Sequence, residues 1–226
     1  MIHIPQAQIN INNEKGLPLL LVGGGRAPAR SWLMAAAAGR SIWCIDHGID
    51  CCHAAGIVPE RFIGDGDSSS AGAREWAKNH SAGFFTFPPE KDLTDTQLTL
   101  KMLPPDASVV LTGAFGKRFD HAFSTIYSFA HAGISGLLAD EQEMLIPIHP
   151  HSGISVKFLS PPEAVSLLPL TAECTGVSLS GVKWPLTAAV LPAALPYAVS
   201  NELKNADTVS VSVNNGIIGF YACWRV

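Results

Sequence analysis

Residues 61–70 read RFIGDGDSSS. A short apolar run, Phe62-Ile63, passes through Gly64 into Asp65 and Asp67, which are split only by Gly66. Apolar residues that stop at acid predict a buried strand with a charged carboxyl end. Glycine at 66 predicts a tight turn, because it enters left-handed backbone regions without a steric penalty. Asp-Gly pairs also occur in ordinary turns, so the stretch takes its meaning from what surrounds it.

The arrangement recurs on both sides. Residues 16–22, 41–45, 62–63, 84–87 and 108–112 are apolar and strand-like; 28–39, 48–55, 71–80, 95–103 and 119–132 are helix-like. Such alternation predicts an α/β domain with a mostly parallel sheet covered on both faces. Ligands of these sheets bind beyond the carboxyl ends of the strands. There the sequence places Asp46, then Asp65 and Asp67, then Lys91, Asp92 and Asp95, then Arg118, Asp120 and His121.

Each group has a plain structural role open to it. Asp92 or Thr94 can cap the next helix, and Arg118 with Asp120 can be a surface ion pair. Gly23-Gly24-Gly25 lacks the Lys and Ser/Thr of a phosphate-binding P-loop. Capping explains one acid at a helix start, not five on one rim. Clustered carboxylates raise one another's pKa unless a cation neutralises them. Mg²⁺ suits the set, with oxygen ligands and positions left for water and phosphate. Lys91 and Arg118 add positive charge for a polyphosphate, and Gly66 would let Asp65 and Asp67 share one ion. Cys51-Cys52-His53, with Cys44 and His47 nearby, matches no zinc spacing and reads as buried small apolar residues on a helix.

The pattern changes after about residue 137. Residues 154–158, 165–170, 176–179 and 188–191 read as short strands separated by Gly, Pro and Ser. Residues 208–213 alternate strictly, Asn214-Asn215-Gly216 supplies a turn, and 217–226 returns, which predicts a β-hairpin. Strands without helices predict an all-β sandwich. The division expected is an α/β domain over 1–138 and a β-sandwich over 139–226.

Composition narrows the classes. The net charge of −4 argues against a nucleic-acid partner. No run approaches the ~20 apolar residues that span a bilayer, and the first residues lack the basic-then-apolar pattern of a secretory signal. A cytoplasmic protein with five reduced cysteines is expected. Charged residues are 15% of the chain, against about 25% on average, which suggests surface buried in a homo-oligomer.

The motifs together resemble a family. IGDGDS (63–68) is similar to the GDxDS motif of thiamine pyrophosphokinases, PPEKDLTDTQLTL (88–100) to their PxxKDxTD, and GAFGKRFDH (113–121) to their GxxGxRxDH. Residues 181–186, GVKWPL, resemble G-x-K-[YW]-P-L, and Ser200-Asn201-Glu202 resembles SNE. The resemblance implies a catalytic domain over 1–138 that binds ATP and Mg²⁺, a thiamine-binding and dimerisation domain over 139–226, and a homodimer with its active site between subunits. It implies transfer of diphosphate from ATP to the thiamine hydroxyl, with AMP leaving. Asp65, Asp67 and Asp95 would bind Mg²⁺, with Asp46 and Asp92 completing the catalytic rim. Lys91, Arg118, Asp120 and His121 would hold ATP, and Ser200 and Asn201 would meet thiamine. IDHGID (45–50) departs from the family's DGGxN at His47 and Asp50. The departures leave open another hydroxymethyl heterocycle, such as a pterin, as acceptor, or a homologue that binds nucleotide or thiamine without catalysis.

Overall fold

A computed structural model of the chain describes residues 1–11, 16–88, 90, 92–205 and 207–224. In chain order its strands and helices begin with β1 (Ile2–Ile4), β2 (Ala7–Ile11), β3 (Leu17–Val22) and α1 (Arg30–Ala37). β4 (Ser41–Ile45), α2 (Gly48–Ala55), β5 (Arg61–Ile63), α3 (Ala71–Asn79) and β6 (Gly83–Phe85) follow. Then come α4 (Asp95–Lys101), β7 (Ala107–Thr112), α5 (Phe119–His131) and β8 (Ser135–Ala139). The remainder is all strand: β9 (Glu143–Ile148), β10 (Ser152–Phe158), β11 (Ala164–Pro169), β12 (Glu173–Ser180), β13 (Leu186–Pro192), β14 (Thr208–Val213) and β15 (Ile218–Cys223). These elements form two compact units, Lys15–Asp140 and Met1–Glu14 with Glu141–Val226.

The first unit is the α/β domain. Its strands run in the order β8-β7-β3-β4-β5-β6, and every adjacent pair is parallel. The central strands are apolar throughout because both faces are covered: Leu19 to Val22 have no exposed surface, and all six residues of β7 are buried. The chain steps outward from β3 to β6, then returns to the other side of β3 as β7. Right-handed crossovers therefore put α1, α2 and α3 on one face and α4 and α5 on the other; α1 packs on α2, α2 on α3, and α4 on α5. The order reverses between β3 and β7. β8 was not anticipated; Gly136 breaks its apolar run, and a Cβ there would lie 2.1 Å from Val109 O.

The second unit is a β-sandwich. One sheet runs β1-β2-β10-β14-β12-β13, and β11-β15-β9 forms another layer, all antiparallel. Their inner faces meet through aliphatic and aromatic side chains, with the Phe158 and Phe220 rings 6.5 Å apart. Two features differ from the sequence reading. Residues 1–11 pack here rather than with the α/β domain, since β2 pairs antiparallel with β10, placing Ile9 opposite Val156. The alternating Ile2, Ile4, Ala7 and Ile9 are buried as a result. The hairpin over 208–226 does not form: β14 pairs with β10 and β12, whereas β15 pairs with β11 and β9. Asn214 and Asn215 instead bond to Thr175 of β12, with Asn214 N and Asn215 N at 3.0 and 3.2 Å from its carbonyl. Gly216, at φ +84°, then turns the chain into the other sheet.

Candidate active site

The strand ends of the α/β domain open into a cleft of about 690 Å³. Its floor is made by glycine. Gly23 N donates to Thr112 O at 2.8 Å and Gly25 N to Gly113 O at 2.7 Å, which joins the ends of β3 and β7 where the strand order reverses. A Cβ on Gly113 would stand 2.2 Å from Gly23 O, so this approach requires glycine.

Acid arrives from β4 and β5. Asp46 ends β4 in a left-handed conformation, φ +46°, rare for a non-glycine residue. Asp65 and Asp67 sit in the loop after β5, where Gly66 at φ +78° makes the turn. Carboxylate oxygens of Asp46, Asp65 and Asp67 all lie within 4.8 Å of one another. Ser68 Oγ donates to Asp46 Oδ2. Asp46 Oδ1 is buried and has no hydrogen-bond partner among the described residues. The hydrogen bond and the charge of Asp65, followed by burial and the charge of Asp46, push the Asp67 carboxyl above its ordinary range. An orphaned carboxylate oxygen beside a carboxyl that resists ionisation, in an all-oxygen donor set, fits a divalent hard cation.

The acidic loop is held from outside the cleft. Arg74 of α3 donates to Gly66 O and Ser69 O, and to Ser69 Oγ at 2.8 Å. Ser70 Oγ accepts from Ala73 N at 3.2 Å and caps α3. Across α2, His47 Nδ1 donates to Ser68 O at 3.0 Å and lies 3.2 Å from Asp50 Oδ2.

The remaining walls come from α4 and the β7–α5 loop. Asp92 and Asp95 line the cleft, and the helix cap is Thr94, whose Oγ accepts from Gln97 N at 3.2 Å while Gln97 Oε1 accepts from Thr94 N at 3.0 Å. Lys117, Arg118 and His121 line it from the β7–α5 loop. Arg118 is bound at 2.6 Å by Asp120, mostly exposed; the bond between them holds Asp120 below and Arg118 above their usual ranges.

Placed against the sequence reading, the structure brings Asp46, Asp65, Asp67, Asp92, Asp95, Arg118 and His121 around one cleft. The tight carboxylate trio includes Asp46, where the sequence suggested Asp95; Asp95 enters the cleft from the first residue of α4. Asp120 serves Arg118 rather than lining the cleft. Lys91 lies outside the described residues. Lys117 was missed. Its Nζ donates to Gly24 O at 3.0 Å, and its backbone sits at φ +52°. The signal was present in sequence, as a second cation beside Arg118 at a strand end.

The β-sandwich carries a separate small pocket of about 160 Å³ lined by Trp184, Leu186, Tyr197, Ala198, Val199 and Asn201. Asn201 is buried and fully engaged. Its Oδ1 accepts from Trp184 N at 3.1 Å and Glu202 N at 2.9 Å, and its Nδ2 donates to Trp184 O at 2.7 Å. Its side chain thus holds the Trp184 segment in place. Ser200, at φ +57°, is exposed, and its amide donates to Ser166 Oγ at 3.0 Å.

Residues 35–137 match the family description of the thiamin pyrophosphokinase catalytic domain, and residues 146–218 match that of its vitamin B1 binding domain. The thiamine pyrophosphokinase of Bacillus subtilis (strain 168) is 26% identical over 170 residues, covering 72% of this chain and 78% of its own. A crystal structure of thiamine pyrophosphokinase from Bacillus subtilis superposes with a TM-score of 0.78 at 21% identity, over 92% of this chain and all of that one. The yeast thiamin pyrophosphokinase structure gives 0.74 at 14% identity, over 94% of this chain and 88% of its own. With an α/β unit and a β-sandwich in the same order, and the two domain descriptions together spanning most of its length, the chain belongs to the thiamin pyrophosphokinase family.

Proposed function

We propose that the cleft at the strand ends of the α/β domain is the ATP and Mg²⁺ site of a thiamine diphosphokinase. The enzyme transfers diphosphate from ATP to the hydroxyl of thiamine, giving thiamine diphosphate and AMP. The observation that carries the site is the convergence of Asp46, Asp65 and Asp67 within 4.8 Å, opposite a wall bearing Lys117, Arg118 and His121. Asp46, Asp65 and Asp67 would hold Mg²⁺, which when bound neutralises phosphate charge and orients the chain of phosphates. Asp92 and Asp95 extend the acidic rim. Lys117, Arg118 and His121 supply the cations and donors that a phosphate chain needs as charge moves onto the departing AMP. The glycine floor allows close approach of backbone to ligand. Asp46, set in a strained backbone and accepting from the hydroxyl of Ser68, would orient the attacking hydroxyl or accept its proton.

Thiamine is read into the pocket of Trp184 and Tyr197, whose aromatic faces suit a flat cationic heterocycle. The protein would act as a homodimer with the active site between subunits, in the cytoplasm. Support for the dimer comes from the low charge fraction and from exposed apolar side chains such as Phe119, Trp184 and Leu195. No helix among the described residues is long and apolar enough to cross a membrane, and all five cysteines are free thiols.

The test is a product assay with thiamine, ATP and Mg²⁺. Diphosphate transfer yields AMP and thiamine diphosphate in equal amounts. ADP in place of AMP would mean transfer of a single phosphate, and turnover undiminished after chelation would remove the metal from the reaction.

A further inference from the structure

His47 and Asp50 depart from the family pattern together, and the structure shows that they are partners. His47 Nδ1 faces two acceptors, Ser68 O at 3.0 Å and Asp50 Oδ2 at 3.2 Å, so that nitrogen carries the hydrogen. The Asp50 carboxylate also accepts from Ser70 N, at 3.1 and 3.3 Å. Both side chains therefore reach from the start of α2 to the end of the acidic loop, one taking a carbonyl and the other an amide. His47 fills the space beside the glycine loop as well: a Cβ on Gly24 would lie 3.1 Å from His47 Cβ.

The loop has reason to move. Asp65 and Asp67 crowd each other and Asp46, and Asp67, Ser68 and Ser70 are exposed, with only Ser69 of the following serines buried. We propose that His47 and Asp50 form a clamp that fixes the 65–70 loop in cation-binding geometry, a positioning pair for the divalent metal. The proposal rests on the metal reading of the Asp46, Asp65 and Asp67 cluster. Asp50 acts in two ways, by holding Ser70 N and by orienting the imidazole onto Ser68 O. Arg74 secures the other edge of the loop, at Gly66 O and Ser69 O, so the fold does not depend on the clamp. Pre-ordering a loop raises affinity by lowering the entropy lost on binding.

The experiment is calorimetric titration of the nucleotide-free protein with Mn²⁺ alone, with thermal unfolding as a check on folding. Loss of one hydrogen bond of this kind is expected to weaken Mn²⁺ binding about 3- to 10-fold in His47→Gly. His47→Asn presents an amide nitrogen near the position of Nδ1 and should bind Mn²⁺ within about twofold of the unaltered protein, whereas His47→Gln should not. Asp50→Asn keeps an acceptor for Ser70 N but loses the charge that orients the imidazole. It should weaken binding about threefold when His47 is present and by less than twofold in the His47→Gly background, the non-additivity expected of a coupled pair. Unchanged affinity in His47→Gly, failure of Asn to rescue, or equal effects of Asp50→Asn in both backgrounds would overturn the clamp. Absence of Mn²⁺ binding by the unaltered protein would instead overturn the metal reading, and the clamp with it.

Discussion

Gly64 makes room for Asp46: a Cβ built on the glycine would stand 3.2 Å from the aspartate's Cβ and 3.3 Å from its Cα and N. The two residues end neighbouring parallel strands, and Asp46 N donates to Ile63 O at 2.9 Å. Gly64 also sits at φ +148°, where a side chain is strained in any surroundings. Gly64→Ala is therefore expected to lose about 1–3 kcal/mol of stability and to displace the Asp46 carboxylate. Urea unfolding measures the first effect. The second predicts a fall in kcat of tenfold or more under conditions where the variant is fully folded; full turnover in folded Gly64→Ala would separate Asp46 from catalysis.

Asp67 should show the charge conflict of the cluster directly. Its carboxyl is pushed up in the folded state, so the folded protein binds that proton more tightly than the unfolded chain does. The resulting stability is present below the ordinary carboxylate pKa of about 3.9 and is lost as pH rises through the elevated folded value. In the metal-free protein, the thermal midpoint should drop across that window; Asp67→Asn should flatten the drop, and added Mg²⁺ should reverse it in the unaltered protein. The same variant should lose several orders of magnitude of Mg²⁺-dependent turnover. A midpoint profile identical to that of the unaltered protein would show that the carboxylates do not feel one another.

Arg118 tests the phosphate wall. Its pair with Asp120 is exposed on both sides, 71% and 63%, and such pairs contribute about 0–1 kcal/mol. Arg118→Ala should therefore leave stability almost unchanged. A charge-assisted hydrogen bond to phosphate is worth roughly 1.5–3 kcal/mol, so kcat/KM for ATP should fall about 10- to 150-fold. A loss under twofold would assign Arg118 to the surface alone.

Asn201 should behave in the opposite way. Its side chain makes three hydrogen bonds, two of them to the Trp184 backbone. Asn201→Ala leaves part-buried backbone groups of Trp184 and Glu202 without their side-chain partner and should cost about 1–2 kcal/mol in unfolding free energy. The Trp184 pocket should loosen, raising KM for thiamine while KM for ATP holds. Equal changes in both constants would mean that the effect is general destabilisation.

Much of this was legible from residue order. The α/β half announced itself because its central strands are buried on both faces, so most read as an unbroken apolar run punctuated by glycine or acid; β8, broken by Gly136, did not. β1, β2 and β9 were missed where Pro5, Pro147 and polar residues interrupt the pattern. The Asn214-Asn215-Gly216 turn misled for a different reason: its local chemistry suits a hairpin, but the bonds from Asn214 and Asn215 to Thr175, about forty residues away, decide the path. At the site, the acids were found by their strand ends. Which three converge was not, because it depends on Asp46's positive φ and on Gly64 closing the gap between β4 and β5, neither of which residue order specifies.

The position of residues 1–11 in the β-sandwich has a consequence for synthesis. β1 pairs with β2, and β2 pairs with β10, which is made after the whole α/β unit. At about 5–20 residues per second, β2 waits on the order of ten seconds for its partner, while the parallel sheet has every strand it needs. The α/β unit is thus free to fold first, with the apolar segment carrying Ile2, Ile4 and Ile9 still without its β10 partner. Nascent chains halted before β10 should expose that segment to chaperones and proteases, and chains released after it should not.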